Sequence, residues 1–207
     1  MMMKEDSMML ETKRLILRTP VMQDAQAYLA LRNSEFVLRY NAMSQQTLEQ
    51  AQNYLAEENS EEQKLILLQK DTEKVIGMVF ITEDSLRWDV SSKEISYFLA
   101  ESYARKGYMT EALTAVIRYL FDSGEVTCIT ARSFVPNTAS RRLLCSLGFQ
   151  QEGTLRRCVR GYNNVVFDDA VCYNICVGRQ WIYCIRLGKR GAYKSGRGET
   201  YSGVFGR

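Results

Sequence analysis

Apolar residues recur along this chain at two spacings, and the changes of spacing mark its elements. Residues 10–19 are rich in Leu and Ile and alternate in part, which predicts a strand ending at Pro20. From 22 to 32, Ala25, Tyr28, Leu29 and Leu31 fall at helical intervals. Thr47 with Gln50 three residues later reads as a capping box, opening a second helix that carries Leu48, Ala51, Tyr54 and Leu55. Residues 64–69 and 74–81 read as strands flanking a hairpin at Asp71-Thr72-Glu73, and 92–100 as the next strand. A helix over 107–121 follows from Ala112, Leu113, Val116, Ile117 and Leu120, and Ser123-Gly124 ends it. Strand 125–134, helix 137–147 and strands 149–160 and 165–177 complete the pattern, the last two joined by a hairpin at Asn163-Asn164.

One junction in this pattern carries chemistry. Ile95-Ser-Tyr-Phe-Leu-Ala-Glu-Ser-Tyr-Ala-Arg-Lys-Gly-Tyr-Met-Thr-Glu-Ala112 is an apolar strand, a short basic turn and a helix start. A helix start leaves N–H groups unpaired and carries partial positive charge, so a turn around Lys106 and Gly107 can wrap phosphate oxygens. Neither the Walker pattern nor the dinucleotide fingerprint fits, because Gly107 is the only glycine between Gly77 and Gly124. A second segment, Pro136-Asn-Thr-Ala-Ser-Arg-Arg-Leu-Leu-Cys-Ser-Leu-Gly-Phe-Gln-Gln-Glu-Gly153, stands about 30 residues further on.

Together the two segments resemble the GNAT acetyltransferases, and the branch of that superfamily that includes the ribosomal-protein N-terminal-amine acetyltransferases. The likeness spans 10–177 and begins at Glu11-Thr-Lys-Arg-Leu-Ile-Leu-Arg18, where a family member has its first strand. It implies an α/β (α+β) fold with a central, mostly antiparallel mixed sheet of about seven strands and about four helices. It also implies an acetyl-CoA-dependent N-acetyltransferase that moves the acetyl group directly to a primary amine, without a metal. The cosubstrate would lie where the fourth and fifth strands part. Ile95, Tyr97, Phe98 and Leu99 would hold pantetheine along the strand edge. Arg105, Lys106, Gly107, Tyr108, Met109 and Thr110 would hold pyrophosphate, chiefly through main chain. Asn137 and Ser140 would line the other side of the thioester. Glu94 is the expected general base and Ser140 the expected proton donor to the departing thiolate.

Plainer readings stand beside these. An acid at a strand start is commonly only solvated, Asn137 can simply cap its helix, and Ser140 can bond its own helix. The family turn usually runs Gln/Arg-Gly-Lys-Gly-Tyr-Ala/Gly. Here Ala104, Arg105 and Met109 replace its Gln/Arg, first glycine and last small residue, and Leu144 stands where many members carry a tyrosine acid. If Arg105 takes the positive φ of that glycine, the cost is about 1–2 kcal/mol.

Composition narrows the chemistry further. With no histidine among 207 residues, serine–histidine and cysteine–histidine nucleophiles and the commonest metal ligand are excluded. Six cysteines form no Cys-x-x-Cys pair and sit mostly in apolar stretches, so buried thiols are expected rather than disulfides or ligands. No stretch of about 20 apolar residues offers a membrane span, and the first residues lack the apolar core of a secretion signal, so a cytoplasmic protein is expected. Residues 1–9 form an N-terminal segment and 10–177 one catalytic domain, while 178–207 hold seven of the thirteen glycines and seven Lys/Arg against one acid. That tail is expected to be flexible; Trp181, Ile182, Tyr183 and Ile185 offer it an apolar docking strip, and only there is nucleic-acid contact conceivable. The favoured acceptor is a protein N-terminal amine. The alternatives are a polyamine, aminoglycoside-like or amino-acid acceptor, or a coenzyme A-binding module with little activity. A monomer or homodimer is expected.

Overall fold

A computed structural model of the chain describes residues 8–57, 61–85, 87, 89–162 and 166–176, with two short strands beyond. Eight strands form one sheet: β1 (Met9–Glu11), β2 (Leu15–Arg18), β3 (Glu62–Gln69), β4 (Val75–Glu83), β5 (Ser92–Leu99), β6 (Cys128–Phe134), β7 (Gln150–Arg160) and β8 (Val166–Cys176). Their order is β1-β2-β3-β4-β5-β6-β8-β7. Neighbours pair antiparallel except β5 with β6, which run parallel.

The eighth strand comes from a correction at the N-terminus. Residues 10–19 are a hairpin and not one strand, with Leu10 opposite Leu17 and Met9 opposite Arg18. Thr12 makes the bend, because its N–H donates to the Leu15 carbonyl at 2.9 Å and its Oγ1 accepts the Leu15 N–H at 3.0 Å. The apolar phase had already slipped there, from Leu10 to Leu15 and Leu17, and a one-residue slip reverses the face of every later side chain.

The helices are α1 (Ala25–Arg32), α2 (Glu35–Leu38), α3 (Leu48–Ala56), α4 (Tyr108–Asp122) and α5 (Thr138–Ser146). A single 3-10 turn, Met22–Asp24, leads into α1. α2 has only four residues, too few for a periodicity to show, and Ser34 caps it by accepting the Val37 N–H. The capping box of α3 forms as expected, Gln50 N–H to Thr47 Oγ1 at 3.2 Å and Thr47 N–H to Gln50 Oε1 at 2.9 Å.

Alternation along the strands gives the sheet two faces. Met78, Phe80 and Phe98 turn to one, where Ala25, Tyr28, Val37, Ala51 and Leu55 of α1–α3 and their connections bury them. The opposite face carries Leu17, Leu67, Val79 and Ile95, all buried, and α4 packs across β1 and β2 on that side. α5 packs beside β6 and β7. A close approach fixes β4 against β5: a Cβ at Gly77 would lie 2.6 Å from the Phe98 carbonyl oxygen, so only glycine fits.

Cys128 is buried as expected, whereas Cys145 and Cys158 are exposed free thiols. Cys145 follows Leu144, which is the residue that α5 buries, so the thiol faces outward on the same turn. Residues 177–207 form a second compact unit, with Tyr193–Lys194 paired antiparallel to Thr200–Tyr201. The flexibility expected of this tail, its apolar strip at 181–185 and the turn at Asn163-Asn164 lie outside the described residues. No helix among the described residues is long and apolar enough to cross a membrane.

Candidate active site

β5 and β6 pair at Ser92 with Cys128, Lys93 with Ile129 and Glu94 with Thr130, and at no later position. Both strands continue, β5 to Leu99 and β6 to Phe134, so they part after Glu94 and leave a fork. Beyond it β5 keeps its partner β4 and β6 keeps β8. Main-chain groups of 95–99 on the fork side therefore have no strand partner among the described residues, which is what an extended amide-bearing ligand needs.

Side chains close each face of this fork. On the α1–α3 face, Glu94 holds Arg132 in a two-pronged pair, Nε to Oε1 at 2.9 Å and Nη2 to Oε2 at 2.8 Å, with the Glu94 side chain 12% exposed. On the α4 face, the Tyr97 hydroxyl lies 2.9 Å from Ser140 Oγ. Asn137 caps α5 by accepting the Ser140 N–H at 3.1 Å, which sets that serine at the first turn of the helix. Ser140 and Tyr97 are far apart in sequence, and the fork is what brings them together.

The basic turn leads from the fork into α4. Arg105 has φ +61° and Gly107 has φ +78°, so the expected left-handed position at Arg105 is present. Arg105, Lys106, Gly107 and Thr110 are exposed. Among the described residues the N–H groups of 105–110 meet no main-chain acceptor, and Glu111 is the first to do so, bonding the Gly107 carbonyl at 3.0 Å. Met109, at 5% exposure, and Phe98, at 7%, send their side chains into the core, which leaves only their main chain to the site.

Arg14, just after the N-terminal bend, reaches this turn. Its Nε meets Glu111 Oε2 at 2.6 Å, its N–H meets Glu111 Oε1 at 2.7 Å, and its Nη1 donates to the Lys106 carbonyl at 3.0 Å. The guanidinium lies 4.1 Å from the Tyr108 ring centre. Thr12 Oγ1 adds a hydrogen bond to Glu111 Oε1 at 2.6 Å. Burial pushes the Glu111 carboxyl up, but the bonds from Thr12 and Arg14 outweigh it and hold the group below its ordinary 4.5.

On the α1–α3 face two tyrosine hydroxyls are ruled out as bases. Burial pushes Tyr28 up to about 12 against a smaller lowering by Arg32, and burial followed by the Glu62 charge raises Tyr54 as well. Both stay protonated at neutral pH. Tyr28 stacks on Tyr54 with ring centres 5.9 Å apart and belongs to the packing of this face.

Residues 14–150 match the family model of the acetyltransferase (GNAT) domain. The chain belongs to the GNAT acetyltransferase family. It is an N-acetyltransferase, as its relatives are. An uncharacterized N-acetyltransferase of Bacillus subtilis, YoaA, is 32% identical over 177 residues, covering 83% of this chain and 98% of that protein. The [ribosomal protein uS5]-alanine N-acetyltransferase of Escherichia coli is 32% identical over 87 residues, only 42% of this chain and 44% of that enzyme. Among solved structures, RimJ of Mycobacterium smegmatis in complex with CoA-disulfide superposes with TM-score 0.72 over 84% of this chain and 89% of its own, at 19% identity. The GNAT fold is therefore shared where sequence likeness is low.

Of the residues singled out from sequence, the GNAT fork gathers Glu94, Ile95, Tyr97, Leu99, Asn137 and Ser140, and the adjoining turn carries 105–110. Four features were missed: Thr12 and Arg14 behind the turn, Arg132 on Glu94, and Tyr97 as partner of Ser140. The slipped apolar phase at residues 12–14 was a signal for the first two. A lone arginine amid the apolar and small residues of β6 was a weaker one for Arg132.

Proposed function

We propose that this enzyme transfers acetyl from acetyl-CoA directly to a primary amine, and that the acceptor is a protein N-terminal amine. The parting of β5 and β6 after Glu94, with a carboxylate on one face and a hydroxyl pair on the other, is the observation that supports this most. Pantetheine would run along 95–99 and pyrophosphate would sit on the free N–H groups of the 105–110 turn, with the Arg105 charge beside it.

The amine, approaching from the α1–α3 face, attacks the thioester carbonyl; its N–C bond forms and the C–S bond breaks. Glu94 receives the proton the amine sheds, since each oxygen bonded to Arg132 keeps a second lone pair. The thiolate takes a proton from Ser140, which regains one from Tyr97 across their 2.9 Å contact, and solvent restores the phenol. Leu144 is buried and unreactive, so this pair fills the role a tyrosine at that position would play. The protein acceptor is favoured by the partial likeness to the uS5-alanine enzyme of Escherichia coli.

Release of coenzyme A thiol, followed over a panel of peptides with free N-termini, polyamines, aminoglycosides and amino acids, tests the reading. Peptides should be acetylated at the α-amine, and Glu94→Gln should slow that turnover by about tenfold or more. Release only with small amines moves the acceptor, and binding of coenzyme A without release on any acceptor leaves a binding module.

A further inference from the structure

Arg14 belongs to no segment so far connected with the cofactor, yet it reaches the phosphate turn at the Lys106 carbonyl and the Tyr108 ring, and the helix behind it at Glu111. Nε and the main-chain N–H fix it to both oxygens of Glu111, Nη1 holds the Lys106 carbonyl, and the guanidinium carbon lies over the Tyr108 ring. We propose that Arg14 is a positioning residue for the cofactor, which aims the turn's N–H groups at pyrophosphate by anchoring the Lys106 carbonyl from behind. This rests on the acetyl-CoA reading above.

A trans peptide is planar, so the carbonyl of Lys106 and the N–H of Gly107 point in opposite directions. With the carbonyl drawn toward Arg14, the Gly107 N–H is directed away from Arg14, and like its neighbours in 105–110 it meets no main-chain acceptor. Left alone, a turn with a glycine and an arginine at positive φ has other conformations of similar energy, since Arg105 costs about 1 kcal/mol where it stands. The Arg14 bond selects one of them. Charge attraction is not the device, because the Arg14 charge is already matched by Glu111 at 2.6 Å, whereas Arg105 and Lys106 are exposed. Lysine cannot replace this group: a single ammonium does not bond Glu111 and the Lys106 carbonyl in fork geometry while also standing over the Tyr108 ring.

The variants Arg14→Ala and Arg14→Lys test the assignment. Coenzyme A affinity is measured by calorimetry, steady-state turnover with acetyl-CoA and with S-acetylpantetheine, and folding by urea titration without ligand. Both variants should bind coenzyme A about tenfold more weakly, a loss of one well-placed charged hydrogen bond. KM for acetyl-CoA should rise with kcat nearly kept, and turnover of S-acetylpantetheine, which has no pyrophosphate, should be unchanged in folded protein. Wild-type affinity in Arg14→Ala, full recovery in Arg14→Lys, or an equal loss with S-acetylpantetheine would each overturn the proposal. If the wild-type protein itself binds no coenzyme A, the acetyl-CoA reading fails first and this one with it.

Discussion

Ser140 and Tyr97 share one hydrogen bond, and that fact sets what each can do alone. Two hydroxyls 2.9 Å apart hold two protons, one of which lies between them, so one proton is left for a third group. If Ser140 supplies the thiolate and Tyr97 resupplies Ser140, removing either breaks the same chain. Ser140→Ala and Tyr97→Phe should therefore each lower kcat by about ten- to a hundredfold, and the double variant should be little worse than the poorer single one. Rates measured around the full cycle decide this; losses that multiply would mean that the two hydroxyls act independently. All four proteins are compared at saturating acetyl-CoA, because Tyr97 and Ser140 also stand where pantetheine would run.

At the scale of elements, the N-terminal hairpin and α4 are tied through one carboxylate. Glu111 accepts from Thr12, from the Arg14 side chain and from the Arg14 main chain, so both arms of the bend hang on it. Its pKa in the fold lies below the ordinary 4.5, so its contribution to stability is fully present above that value and is lost as pH falls through the depressed one. Urea midpoints taken from about pH 6 down to about pH 3 should fall faster for the wild type than for Glu111→Gln, whose side chain does not titrate. Parallel curves would leave this carboxylate without a pH-linked role. Such a tie leaves no local signature in the sequence. α4 and the α3 capping box were legible because apolar spacing and capping chemistry are local. Family likeness singled out Glu94, Tyr97 and Ser140, which the structure places at the fork. The Glu111 tie and the Arg132–Glu94 pair are contacts between residues 97 and 38 positions apart, and no local pattern encodes such distances. The bend itself was readable in principle, since the apolar phase slips at Thr12, but an apolar run that resumes so soon looks like one strand.

In the whole molecule, the sheet separates two chemistries by its faces. Glu94 and Arg132 lie on the side covered by α1–α3, and Tyr97 and Ser140 on the side of α4 and α5, with the fork between them. On the proposed reading, an acetyl group in that fork would meet the acceptor on one face while the thiol departs toward the other, which requires both substrates together. The competing route would lodge the acetyl on the protein first. A thiol is the side chain most nucleophilic without a histidine partner, and among the described residues Cys145 and Cys158 are exposed. Neither belongs to the pairs that close the fork: Cys145 lies beyond Leu144 on the outer side of α5, and Cys158 lies in β7, which pairs with β8 and not with β5 or β6. Direct transfer thus predicts intersecting lines when initial rates are measured over a grid of acetyl-CoA and acceptor concentrations, and a sequential mechanism. Intact-mass measurement after mixing with acetyl-CoA alone should find no protein one acetyl group heavier at a rate matching turnover. Parallel lines, together with a Cys145→Ser or Cys158→Ser variant that loses both the added mass and the activity, would replace direct transfer with an acyl-enzyme.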